Sequence, residues 1–250
     1  MPVGVRQELL ELDTSLGRVP GLIYRPDDDS SHPAVVIGME ATGINSVART
    51  TGQALAEAGY VVVIPDYYRG GGPPDPGDLT DIPTIVRHIG ALDFSIAARD
   101  MTAAIDYATS LPFVDAARIG VWGWCTGATF SWLGAALRPD VKAAVLFYPS
   151  QPFHALIDDA HPVHPMDVLW AVRAKTLLIV GDQDGVFTAD VLSEFERRCR
   201  RYAIDHRIEV MAGAGHAFSN PAPGFYHHDA EVRALAIANP FLADALQPAP

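Results

Sequence analysis

Ile119-Gly120-Val121-Trp122-Gly123-Trp124-Cys125-Thr126-Gly127-Ala128 decides how this chain is read. An apolar run meets glycine, presents one cysteine, and leaves through a second glycine into an apolar helical pattern. The pattern predicts a strand, a sharp turn, and a helix through about Leu137 with a thiol at the apex. In form it is the nucleophile elbow G-x-S-x-G with sulfur in place of oxygen. The thiol would sit at a helix N-terminus, where the macrodipole favours an anion. The backbone N–H of Thr126 would point to where an oxyanion forms. A free thiol titrates near about 8.5, so it needs a base to act at neutral pH.

Outward from the elbow, strands and helices alternate. Apolar runs at Ala34–Met39, Tyr60–Pro65, Val141–Tyr148, Lys175–Val180 and Arg207–Met211 predict buried strands. Helices are expected from Asn45 or Ser46 to about Ala58, over Phe94–Ser110 and Ala189–Tyr202, and over Asp229–Leu246, bent or divided at Pro240. Arg6–Asp13 and Arg18–Arg25 read as an N-terminal antiparallel hairpin around Ser15-Leu16-Gly17. Asp66–Pro83 is rich in Gly and Pro and reads as a long surface loop, followed by one or two helical turns over Thr84–Gly90. Pro149–Pro165 reads as irregular, and Met166–Val172 as a short helix. The alternation predicts one α/β domain over residues 1–250, a mostly parallel twisted sheet with helices on both faces.

Composition narrows the function classes. The 250 residues carry 30 acids against 18 bases, a net charge of −12. That balance argues against nucleic-acid and anionic-membrane partners, which need clustered Lys and Arg. Two cysteines, Cys125 and Cys199, form no disulfide framework, so a reducing, cytoplasmic setting is the expectation. The first dozen residues lack the pattern of a signal peptide, and no apolar run is long enough to span a bilayer. The prolines around His161-Pro162-Val163-His164 deny it the helical geometry of a metalloprotease motif, and no metal or cofactor is expected.

Four chemistry-bearing residues fall just past strand ends, where open α/β sheets place ligands: Glu40, Cys125, Asp184 and His216. Cys125, Asp184 and His216 follow the chain order nucleophile, acid, histidine. His216 is the candidate base and Asp184 its orienting acid, with Asp182 in the same turn as a competitor. Thr126 supplies one candidate oxyanion N–H, and Ala41, after the first long strand, supplies the second. Glu40 at the same rim could take the thiol's proton or hold the thiol in place.

With those residues in view, the chain resembles the dienelactone hydrolase family. Gly123-Trp124-Cys125-Thr126-Gly127-Ala128, Glu40-Ala41-Thr42-Gly43-Ile44-Asn45, Pro65-Asp66-Tyr67-Tyr68, Gly181-Asp182-Gln183-Asp184 and Ala214-Gly215-His216-Ala217-Phe218 carry the likeness, which runs from about Pro33 to Leu246. The resemblance implies an α/β-hydrolase fold without a large cap. It implies a Cys125–His216–Asp184 triad opening an enol lactone through an acyl-thiol intermediate, with no cofactor. It also implies that Glu40 contacts the resting thiol and helps activate it when substrate binds. The chemistry suits sulfur: thiolate leaves readily, so acylation succeeds when the competing leaving group is also good, as an enolate is. The partner is then a small ester or lactone, and the enzyme a monomer or homodimer. The family's two carboxylate-gripping arginines fall here near Asn220 and near Ile82, and a family tyrosine falls near Val86. Arg87, Tyr148 and Asn220 are therefore the candidate substrate contacts, and an uncharged activated ester is the alternative substrate.

Overall fold

The computed structural model describes residues 4–74, 77 and 79–247. The ends of the expected 1–250 domain, including the first three residues of the expected leaderless N-terminus, and residues 75, 76 and 78 of the expected long loop lie outside the described residues. The strands are β1 (Val5–Thr14), β2 (Gly17–Pro26), β3 (His32–Gly38), β4 (Val61–Pro65), β5 (Val114–Trp124), β6 (Ala143–Phe147), β7 (Lys175–Gly181) and β8 (His206–Met211). They form one sheet in the order β1-β2-β4-β3-β5-β6-β7-β8. The β1–β2 and β2–β4 pairs are antiparallel and the rest parallel. This is the α/β-hydrolase architecture with its antiparallel start.

Helices cover both faces because the central strands are apolar on both. In β3, Ala34 and Val36 face one core with Val63 and Val121, under α3 (Phe94–Ser110), α4 (Thr126–Leu137) and α5 (Ala189–Arg201). Val35 and Ile37 face the other core with Trp122 and Val145, under α1 (Ser46–Glu57) and α6 (His228–Ala245). β3, β5 and β6 lie side by side, in register from Val35↔Gly120 and Gly120↔Ala143. Their C-terminal ends therefore open onto one rim.

The structure sharpens three of these expectations. α2 (Ile82–Gly90) begins two residues early, because the Asp81 side chain accepts the Thr84 N–H and Pro83 sits in the first turn, where its missing N–H costs nothing. α6 is not divided: it continues through Pro240, which removes one donor from the helix without ending it. The loop after β4 is anchored at its start. Arg69 makes a two-pronged ion pair with Asp100 of α3, at 2.6 and 2.8 Å, and also donates to the Leu16 carbonyl of the hairpin turn. Among the described residues no helix is long and apolar enough to cross a membrane.

Candidate active site

The elbow forms because glycine lets backbones touch. A Cβ on Gly127 would lie 2.1 Å from the Met39 oxygen, and one on Gly123 would lie 2.4 Å from the Gly127 oxygen. No side chain fits between the ends of β3 and β5 and the start of α4. Cys125 caps that helix with φ 51° and ψ −123°, a strained conformation for a residue with a Cβ. Its own backbone offsets the strain: its N–H donates to the Phe147 oxygen, and its oxygen accepts from the Ala128, Thr129 and Ser150 N–H groups. The thiol is half-buried at the rim.

His216 reaches that thiol from the loop after β8, its Nε2 3.2 Å from Cys125 Sγ. Its Nδ1 donates to Asp184 Oδ2 at 3.0 Å. Gly181 makes this meeting possible, since a Cβ there would lie 2.0 Å from the Ala214 oxygen. Asp184 is buried, and its Oδ1 accepts from the Val186 and Phe187 N–H groups at 2.7 and 2.8 Å. Its sequence competitor Asp182 is exposed and accepts from Gly213 N–H at 2.8 Å, fastening the histidine loop instead.

Electrostatics follow the geometry. Burial pushes the Cys125 thiol up, but the His216 charge and hydrogen bond outweigh it and hold the thiol below its ordinary range, with Glu40 opposing. Burial pulls the His216 imidazolium down, while the Cys125 thiolate and Asp184 hold it well above the usual histidine range. Asp184 is held low despite burial by His216 and its two backbone donors. Both directions work in favour of a thiolate beside an imidazolium.

Ala41 and Thr126 are buried, and neither N–H has a hydrogen-bond partner among the described residues. Unpaired buried N–H groups are rare, and at this rim they can serve an oxyanion. Tyr68 braces the Ala41 side of the rim, its hydroxyl donating to the Ala41 oxygen at 2.9 Å.

Glu40 is buried, and its hydrogen bonds go elsewhere than to the thiol. Oε2 accepts from Asn45 Nδ2 at 2.7 Å and Asn220 Nδ2 at 2.6 Å, and Oε1 accepts from the Tyr148 hydroxyl at 3.1 Å. Burial raises its carboxyl above the usual range, against the pull of those three donors. Two of the candidate substrate contacts, Tyr148 and Asn220, are fully buried and spend these polar groups on Glu40. The third, Arg87, is exposed and donates to Thr84 Oγ1 at 2.6 Å. Asn45 is legible in the sequence as a cap candidate and as the last residue of the Glu40–Asn45 motif; its bond to the Glu40 carboxylate is what the structure adds. A groove of about 610 Å3 between α1 and α6, lined by Val47, Leu55, Tyr226 and Leu235, does not include Cys125. Among the described residues no group of His, Cys, Asp and Glu is disposed to hold a metal ion.

The sheet order and the elbow define an α/β-hydrolase. The model of the dienelactone hydrolase family matches residues 19–246, and the chain belongs to that family of ester-bond hydrolases. It is 31% identical over 196 residues to a Bradyrhizobium protein named "Probable 2-oxo-3-(5-oxofuran-2-ylidene)propanoate lactonase", covering 78% of this chain and 77% of that one. It is 30% identical over 222 residues to a Salmonella typhimurium protein named "Putative carboxymethylenebutenolidase", covering 85% and 78%. A Klebsiella pneumoniae crystal structure titled "Putative Dienelactone Hydrolase" superposes with a TM-score of 0.86 at 24% identity, over 96% of this chain and 99% of that one.

Proposed function

We propose that this hydrolase opens enol lactones and esters with comparably good leaving groups through an acyl-Cys125 intermediate. The observation that carries the reading is the line Cys125 Sγ–His216 Nε2, 3.2 Å, and His216 Nδ1–Asp184 Oδ2, 3.0 Å. The Cys125 thiolate attacks the carbonyl carbon. The resulting oxyanion accepts from the Ala41 and Thr126 N–H groups. Collapse breaks the acyl C–O bond, and His216 Nε2–H protonates the departing enolate oxygen to give an enol, which tautomerises to the ketone. Water then attacks the thioester, His216 takes its proton, and the thiolate leaves with release of the carboxylic acid.

A second reading concerns the substrate's charge. The Asn220 amide is committed to Glu40 and to the Ala222 N–H, and Arg87 lies at the surface. The charged groups acting most strongly on the thiol are His216 and Glu40. These observations favour an uncharged acyl group over a free carboxylate. The test compares kcat/KM on an anionic enol lactone and on its neutral ester, with Cys125→Ala beside the wild type. Residual turnover in Cys125→Ala sinks the thiol mechanism. Strong preference for the anion sinks the second reading alone.

A further inference from the structure

Three buried hydroxyls crowd the sulfur side of the elbow, and the triad uses none of them. Thr126 and Thr129 stand in the first turn of α4, and Ser150 lies three residues past the end of β6. Thr126 Oγ1 is 3.7 Å from Cys125 Sγ, within the longer hydrogen-bond reach of sulfur, and 3.0 Å from Ser150 Oγ. Ser150 is pinned by its backbone: its N–H donates to the Cys125 oxygen at 3.1 Å, and its oxygen accepts the Thr129 hydroxyl. Its own hydroxyl is thereby held against Thr126. The direction of these bonds follows from counting hydrogens. A thiol has one hydrogen, which faces His216 Nε2 at 3.2 Å, and a thiolate has none. Toward Thr126, sulfur therefore only accepts. The Thr126 hydroxyl also has one hydrogen, so once it points at sulfur the Ser150 hydroxyl must donate to Thr126 Oγ1. The reverse order, with Thr126 donating to Ser150, leaves the Ser150 hydroxyl hydrogen without an acceptor among the described contacts. Buried polar groups avoid that arrangement.

We propose that the Thr126 hydroxyl is a catalytic hydrogen-bond donor to the Cys125 sulfur, with Ser150 as its positioning residue. This rests on the acyl-Cys125 reading above. The two donors of Thr126 then divide the work: its N–H faces the carbonyl oxygen of the substrate and its hydroxyl faces sulfur. The hydroxyl matters in the steps where charge sits on sulfur. In acylation the thiolate commits an electron pair to the new S–C bond, and the donor loses its charged acceptor. In deacylation the water oxygen bonds to the acyl carbon, its proton goes to His216 Nε2, and the S–C bond breaks with its electron pair returning to sulfur. The Thr126 hydroxyl meets that charge as it forms, and no proton leaves Thr126. Deacylation is therefore the step it helps most. The charges agree with the geometry: burial and Glu40 push the Cys125 thiol up, and the Thr126 bond joins His216 in holding it down.

Thr126→Val removes the hydroxyl but keeps the branched shape and the backbone N–H, whereas Thr126→Ser keeps the hydroxyl. The rate of Cys125 alkylation by iodoacetamide, followed against pH, reads the sulfur. Cys199 stays silent, because it is fully buried and burial pushes its thiol up to about 12; Cys125→Ala supplies the blank. The titratable groups acting on Cys125 are His216 and Glu40, with the phenols of Tyr67, Tyr68 and Tyr148, and all stay in place in these variants. One hydrogen bond is worth about half to one pKa unit, so the alkylation midpoint of Thr126→Val should rise by that amount. Acyl-Cys125 formed from an activated aryl ester, trapped by acid quench and followed by mass over time, should decay about three- to tenfold more slowly in Thr126→Val. Thr126→Ser should recover both readouts. Ser150→Ala, which leaves Thr126 in place, should move both the same way by less, and it carries the test if thermal melts show Thr126→Val to be unfolded. A midpoint and an acyl-enzyme lifetime unchanged in Thr126→Val and Ser150→Ala overturn the proposal. Equal shifts in Thr126→Val and Thr126→Ser, the mark of packing alone, overturn it too. If Cys125→Ala still hydrolyses the ester, the acyl-Cys125 reading fails. If it is inactive while neither readout moves in Thr126→Val, only the present proposal fails.

Discussion

Replacing Asp184 with asparagine tests the pairing proposed to activate the thiol. Oδ1 of Asp184 already accepts from the Val186 and Phe187 N–H groups. Asparagine keeps its carbonyl oxygen there and turns its NH2 toward His216. Nδ1 of His216, 3.0 Å from Oδ2 in the wild type, then faces a donor and must itself become the acceptor. The imidazole is left neutral with its proton on Nε2, and it no longer compensates the thiolate. The lost charge interaction is about 4 kcal/mol for unit charges about 4 Å apart at an effective dielectric of about 20. At about 1.4 kcal/mol per pKa unit this is roughly three units of imidazolium stability. A loss of roughly 10³-fold in kcat/KM follows, near the roughly 10⁴-fold that the same substitution costs in a serine triad. The assay is kcat/KM on an activated aryl ester across the neutral pH range, with thiolate absorbance recorded in parallel. The acid limb should move up and the neutral-pH thiolate signal should fall. A folded Asp184→Asn enzyme within about tenfold of wild type, a loss of under 1.4 kcal/mol, would refute the reasoning.

Gly181→Ala places a Cβ 2.0 Å from the Ala214 oxygen, so the histidine loop must shift. We expect destabilisation of about 1–3 kcal/mol in denaturant titration and a fall in kcat out of proportion to it. Arg69→Met leaves Asp100, 1% exposed, without its ion partner and should cost about 3–5 kcal/mol, read by urea unfolding. His154 is held down to about 4 by burial and by His161 and His164, against a raising contribution from Asp158. The unfolded chain therefore takes up a proton that the folded chain refuses as pH falls from about 6.5 toward that value, and stability is lost through this window. Melting temperatures measured across it should decline, and His154→Gln should flatten the decline.

Much of the site was legible because it depends on local rules. Apolar runs stopped by Gly or an acid marked β3, β5 and β7, and the chemistry-bearing residues at their ends were found by position. The order Cys125, Asp184, His216 needed no distances. Glu40 was legible as a rim acid but its partners were not, since Tyr148 and Asn220 lie 108 and 180 residues away. Asn220 and Tyr148 are legible as residues near the site, and their bonds to Glu40 are what the structure adds. The loop after β4 reads only as Gly- and Pro-rich surface chain; the Arg69–Asp100 pair that anchors its start spans 31 residues. The start of α2 was missed although Asp81, three residues before Thr84, was a readable cap.

The cradle around Glu40 also sets an order of events during synthesis. Residue 40 emerges early, but its last partner, Asn220, emerges 180 residues later. At translation speeds of about 5–20 residues per second, that interval is roughly ten to forty seconds. Throughout it, the Glu40 carboxylate lacks one of its three donors, and the cradle is complete only when β8 and the loop after it have docked. Hydrolytic activity in a nascent or refolding chain is then a marker for completed assembly of the sheet, appearing after helical content has already returned.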